Sequence, residues 1–246
     1  MKKIIFFESL ILMLFFTVLV YQSKNPKIIH DVKTEKEYVD KEILISSDYN
    51  CNHYTYCNLS VTPILQNPEL PTGCEITSLT TVLNYYGFSV DKLFMAENYL
   101  KTGDIGITNP DIAFVGTPFS EYSFGCFSNV IKESATNYLG DNNSALSVID
   151  LNGYDFYEFK KYILDGHPII FWATIELREP YVSCSWNIDN QEIDWLANEH
   201  CMVLIGFNNE NSNYIVSDPL QGIVEYPEDL LIERYNQMGK QALLIN

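Results

Sequence analysis

Three residues whose types could together carry acyl-transfer chemistry occur in the order Cys74, His200 and Asp218. A cysteine sulfur is a strong nucleophile once its proton is removed. An imidazole can remove that proton, and a carboxylate beside the ring holds it in one tautomer and strengthens it as a base. Such a trio attacks a carbonyl carbon, forms a thioester, returns the proton to the leaving amine and hydrolyses the acyl-enzyme. Each residue also has an ordinary explanation: a small buried cysteine, a histidine packed at a strand start, and an Asp-Pro that opens a turn. The joint arrangement is what favours chemistry over three separate structural roles.

The elements that must position these residues can be read locally. Leu70-Pro71-Thr72-Gly73 is a turn that runs into a helix predicted over Cys74–Tyr86 and closed by Gly87. Backbone N–H groups at a helix start lack intrahelical partners and carry the positive end of the dipole, so a lowered thiol pKa is expected for Cys74. Ile76, Leu79, Leu83 and Tyr86 recur at helical spacing, and Cys74 lies about 200° around from Ile76, off that face. His200 precedes a predicted strand over Cys201–Phe207, and Asp218 follows one over Tyr214–Ser217, with a dense turn signal at Asn208–Asn213 between them. Both residues stand nine positions from Asn209, so a hairpin about that turn brings them to the same end.

The remaining elements define the fold class. Val61–Gln66 reads as a short strand or extended lead-in. Helices are predicted over Asp91–Leu100, Asn129–Leu139 and Asp155–Asp165. Strands are predicted over Pro168–Ile175 and Gly222–Tyr226. Gly103–Asn129 is a loop rich in Gly and Pro that could wall a cleft. Helices first and antiparallel strands later indicate an α+β fold.

Three regions are expected: an apolar segment over residues 1–21, a charged tether over 22–60, and the folded domain over 61–246. Ile4 to Tyr21 is nearly unbroken apolar sequence after a positive start and has no small-residue cleavage site. It reads as a signal-anchor that holds the domain outside the cell membrane, or as a signal peptide if cleaved, which would leave the protein secreted. The net charge of −17 arises wholly from residues 61–246, because residues 1–60 hold seven Lys and seven acidic residues. That surface repels nucleic acid and fits a solvated acidic exterior. No nucleotide-binding G-x-x-x-x-G-K-[ST] motif occurs. The Cys51, His53, Cys57 grouping lacks the second close pair of a zinc site, so neither metal nor cofactor is expected. Cys51–Cys57 and Cys126–Cys184 are possible bridges, and Cys201, inside a strand, is expected as a buried free thiol.

Leu70-Pro71-Thr72-Gly73-Cys74-Glu75, Asn84-Tyr85-Tyr86-Gly87, Gly166-His167-Pro168, Glu199-His200-Cys201 and Asp218-Pro219-Leu220 form an ordered set. Over about Val61 to Tyr226 the chain thereby resembles the C39-like cysteine peptidases, a branch of the papain-like superfamily. The resemblance implies a papain-like fold, with a helical part carrying the cysteine and an antiparallel sheet carrying histidine and aspartate. It implies Cys74 as nucleophile, His200 as general base and acid, Asp218 as orienter, and Gln66 as the amide that helps bind the oxyanion. A peptide or protein substrate follows. The same groups would also serve a cell-wall amide hydrolase or transferase, and a catalytically silent surface-binding module is the other alternative.

Overall fold

The computed structural model describes residues 54–246; the expected apolar anchor and most of the tether, Cys51 included, lie outside the described residues. In chain order, β1 (Tyr56–Asn58) is followed by an extended segment and then by α1 (Cys74–Tyr85) and α2 (Lys92–Asn98). Two short pieces, β2 (Thr102–Gly103) and β3 (Phe114–Val115), pair in parallel inside the long loop, which ends at α3 (Ser128–Asp141). Then come β4 (Val148–Asp150), a 3-10 turn over Phe156–Glu158, α4 (Phe159–Leu164) and β5 (Ile169–Thr174). A hairpin, β6 (Val182–Ile188) and β7 (Gln191–Leu196), precedes β8 (Glu199–Asn208), β9 (Asn213–Asp218) and β10 (Gly222–Pro227). The chain closes with α5 (Glu228–Gln237) and β11 (Ala242–Ile245).

The main sheet runs β10-β9-β8-β5-β11-β4, with β1 also paired to β8. Its two central strands are covered on both faces. Ile170, Trp172, Cys201, Val203 and Ile205 belong to the core shared with α1, α2 and α3. Ile169, Phe171, Met202 and Leu204 belong to the core shared with α4 and α5. This double burial explains the continuous apolar runs in β5 and β8, which an alternating pattern would not produce. The α+β class stands as expected.

Helix α1 departs from its amphipathic reading. Every residue from Cys74 to Leu83 is buried, including the side predicted to face solvent. Three of its hydroxyls are bonded: Thr80 Oγ1 donates to Ile76 O at 2.7 Å, Thr81 Oγ1 to Thr77 O at 2.9 Å, and Ser78 Oγ to Cys201 O at 3.0 Å, while Thr77 Oγ1 is buried without a partner. The second helix is shorter than predicted, because Asp91 acts as its cap and its carboxylate accepts from Leu93 N at 2.8 Å.

The expected domain boundary at Val61 falls inside the folded part, since Tyr56, Cys57 and Asn58 pair with Asn208, Phe207 and Gly206. Strand β1 takes up the side of β8 where β5, which pairs only as far as Leu204, has ended. The Cys126–Cys184 bridge is not formed. Both thiols are free, as is that of Cys57, and Cys126 is buried beneath the helices while Cys184 lies on the β6–β7 hairpin. Cys201 is a buried free thiol as expected.

Gly206 makes the β1–β8 contact possible. A Cβ there would stand 2.3 Å from Cys57 O and 3.0 Å from Asn58 Cα, both backbone atoms. Gly206→Ala is therefore expected to destabilise the domain by about 1–3 kcal/mol in urea unfolding. Gly140→Ala, in α3 with open space around it, is expected to be neutral or to stabilise by up to about 1 kcal/mol. Equal effects of the two substitutions would refute this account of the contact.

Candidate active site

The β8–β9 pairing differs from the expected register by two residues and contains a bulge. Val203 faces Ser217 and Leu204 faces Val216, and after an irregularity at Ile205 the ladder resumes with Gly206 facing Ile215. Side chains alternate between the two faces of a strand, so a shift of two keeps His200 and Asp218 on the same face, where a shift of one would have parted them. Continued by one residue, the ladder sets Asp218 opposite Met202 and so diagonal to His200. The partner of His200 on β5 is Ala173, whose small side chain leaves the ring room on that face.

His200 Nε2 lies 2.8 Å from Asp218 Oδ1, with the two residues only 1% and 0% exposed. A carboxylate can only accept, so Nε2 carries the proton and Nδ1 is the basic nitrogen. The carboxylate is held from every side. Leu220 N donates to Oδ1 at 2.7 Å, and Tyr226 Oη and Gln221 Nε2 donate to Oδ2 at 3.0 and 3.3 Å. Burial pulls the Asp218 pKa upward, but the hydrogen bond and charge of His200, with Leu220 N–H and Tyr226 O–H, outweigh it and hold it below the usual carboxylate value.

Cys74 begins α1 as expected, but its thiol is 6% exposed and engaged elsewhere. Sγ lies 3.3 Å from Glu75 Oε2 and accepts from Cys201 N at 3.5 Å. The sulfur therefore sits beside the residue that follows His200, on the helix-covered face of β8, and among the described residues no hydrogen bond joins it to the imidazole. The expected low thiol pKa is overturned. Burial pushes it well above the ordinary value, and the charges of Glu75 and Glu199 push the same way. A helix start offers about 0.3–1 kcal/mol at exposed sites, too little to offset desolvation beside two carboxylates.

Gln66 is tied to both halves. Its backbone N–H donates to Pro219 O at 2.8 Å, next to Asp218, and its Nε2 donates to Pro71 O at 2.9 Å, in the turn that leads to Cys74. Its Oε1 is buried without a partner.

Sequence reasoning did not single out Glu75 and Glu199. Both are buried and both have raised pKa values, from burial first; at Glu199 the neighbouring charge of Glu75 adds to it. Their types and places in the motif were visible, but a glutamate on the first turn of a helix reads as a favourable dipole partner, and only the full burial of α1 turns it inward.

The long loop does form a wall here. Cys126 N donates to Glu75 Oε1 at 2.7 Å. A Cβ on Gly125 would stand 2.4 Å from Glu75 Oε1, 3.0 Å from Glu199 Oε2 and 3.1 Å from Trp195, so a bare backbone is needed for the loop to pass. The β6–β7 hairpin, unforeseen in the sequence, covers the loop from outside: Trp195 stacks on Phe127 at 5.9 Å between ring centroids, and Phe124 lies against both Trp186 and Trp195. Its two-residue turn, Asp189-Asn190, has positive φ at both positions, the conformation that tight hairpins require.

Comparison with known proteins places this geometry. The chain is 28% identical over 185 residues to the uncharacterised protein YvpB of Bacillus subtilis (strain 168), covering 72% of this chain and 70% of that one. The crystal structure of a presumed C39-like peptidase from Bacillus anthracis is 29% identical, with a TM-score of 0.69 over 78% of this chain and 97% of that one. The architecture is thus the C39-like peptidase fold. With the family pattern matched from residue 58 to residue 243, this protein belongs to the Peptidase_C39 like family.

Proposed function

We propose that the protein is a cysteine peptidase that cleaves peptide bonds with Cys74 as nucleophile, His200 as general base and acid, Asp218 as orienter and Gln66 as an oxyanion donor. The observation that carries this reading is the His200–Asp218 bond of 2.8 Å. It fixes the proton on Nε2 and leaves Nδ1 as the base, one residue from the Cys201 N–H that touches the Cys74 sulfur. In the resting arrangement the sulfur is a neutral thiol beside Glu75. For attack the sulfur must leave Glu75 and come within reach of His200 Nδ1.

From there Nδ1 accepts the thiol proton as the sulfur bonds to the substrate carbonyl carbon. The oxyanion is met by the backbone N–H of Cys74 and by the second amide hydrogen of Gln66 Nε2, whose first is spent on Pro71 O. The imidazolium gives its proton to the leaving amine, and a thioester to Cys74 remains. Water attacks that thioester, with Nδ1 taking its proton; the C–S bond breaks, the acid is freed and the proton returns from the imidazolium to the Cys74 sulfur. Asp218 stays ionised throughout, because four donors face its two oxygens. The apolar run at Ile4–Tyr21 supports a place at the cell membrane with the domain outside.

Two tests follow. Cys74→Ala is expected to abolish hydrolysis of a fluorogenic peptide library, and His200→Ala to lower it by about 10²–10⁴-fold, both with unchanged circular dichroism. Asp218→Asn is expected to be milder than either, since an amide oxygen can still accept from Nε2. Hydrolysis that survives Cys74→Ala would end the proposal.

The second test reads stability. The native pKa of Asp218 is depressed, so its contribution is complete above the unfolded value of about 3.9 and is lost as pH falls through the native value. Asp218→Asn should therefore lower the thermal midpoint at neutral pH and lose less of it on acidification below about pH 4 than the parent chain. A parallel loss in both proteins would refute the assignment.

A further inference from the structure

The buried cluster next to the proposed nucleophile has a feature that hydrolysis does not use. Glu75 and Glu199 lie together under the long loop, and no ion pair among the described residues involves either. Buried carboxylates are ordinarily paired with a cation, protonated, or bound to a metal. Here the third group present is a thiol. Single donor atoms of Cys74, Glu75 and Glu199 all lie within 4.8 Å of one another, and Cys74 Sγ is 3.3 Å from Glu75 Oε2.

We propose that Cys74 Sγ, Glu75 and Glu199 form a binding site for a thiophilic divalent transition ion of the Zn2+ type, which holds the peptidase inactive while bound. Zinc bonds of about 2.0–2.3 Å in a tetrahedron place ligand atoms roughly 3.5 Å apart. The sulfur and Glu75 Oε2 already meet that spacing, and binding requires the widest separation, within 4.8 Å, to close. The second, independent observation is Glu199 itself. The residue is 9% exposed, its Oε1 is buried with no hydrogen-bond partner, and its Oε2 lies with Glu75 Oε1 against the backbone of Gly125.

The surroundings suit a metal ligand set. Cys126 N–H holds Glu75 Oε1 at 2.7 Å and leaves Oε2 turned to the sulfur, while Cys201 N–H donates to that sulfur at 3.5 Å. Both are the kind of outer bond that orients ligands and steadies a thiolate. A cavity of about 60 Å³ lies against Glu199, lined also by Phe127, Asp194, Trp195 and Gln241, and gives solvent a way to that one ligand. A sulfur donor selects against Mg2+ and Ca2+. Binding forms metal–sulfur and metal–oxygen bonds, and the protons of the thiol and of each carboxyl that holds one leave to solvent with no change of oxidation state. The ion then occupies the electron pair that would attack the substrate. Binding stands on the cluster alone; only the inhibition rests on the proposed peptidase activity.

The full chain, stripped with a chelator, is titrated with Co2+ while thiolate-to-cobalt charge-transfer absorption is recorded, and Zn2+ is then added in competition. The expected result is a saturable band in the parent chain that Zn2+ removes. The band should vanish in Cys74→Ser, persist in Cys184→Ser, and need at least about 10-fold more Co2+ in Glu199→Gln. Absence of the band in the parent, its survival in Cys74→Ser, or unaltered affinity in Glu199→Gln would overturn the site. Peptide hydrolysis by the same sample is expected to fall on Zn2+ addition and return with chelator. A cobalt band accompanied by undiminished hydrolysis would overturn the inhibition. A cobalt band in a chain that hydrolyses nothing even when stripped of metal would leave the site standing and overturn the peptidase reading and the inhibition with it.

Discussion

The hydrogen bond between His200 and Asp218 is the constraint on which the rest of the site depends. It exists because two strands pair in a register that puts both side chains on one face and at one end. It is durable because neither group meets solvent, and because Leu220, Gln221 and Tyr226 saturate the carboxylate. An ion-pairing group buried with so many donors keeps its charge and its direction, and so holds the imidazole in one orientation.

Cys74, whose sulfur touches the N–H of the residue after His200, stands in a different electrostatic regime. The helix start and the Cys201 N–H favour a thiolate, while burial and two carboxylates oppose it. The second set wins in the resting arrangement. The sulfur's reactivity is therefore conditional on where its side chain points and on what neutralises Glu75 and Glu199, a control that a permanently exposed ion pair would lack.

Much of this was legible in the residues. The helix that opens at Cys74, the loop up to Ser128, and the strands flanking the Asn-rich turn followed from period, composition and turn chemistry, which are local properties. The same-face relation of His200 and Asp218 was expected from a register centred on the turn, but the ladder beside the turn, where Asn208 faces Asn213, has the opposite parity, and the bulge near Ile205 restores it before the site is reached. Other elements were missed for physical reasons. Hairpin β6–β7 is exposed on alternate residues and rich in polar types, so its apolar signal is thin, and Asp189-Asn190 lacks the glycine that usually marks such a turn. The inward turn of Glu75, the burial of Cys74 and the unformed Cys126–Cys184 bridge depend on tertiary covering of α1, which no local window contains.

Strand β1 joins the domain at its centre rather than at its rim. Its three residues prolong the column that β5 leaves unfinished and lie along the same strand, β8, whose second residue is His200. The first described strand is thus fastened to the same strand that carries the proposed base.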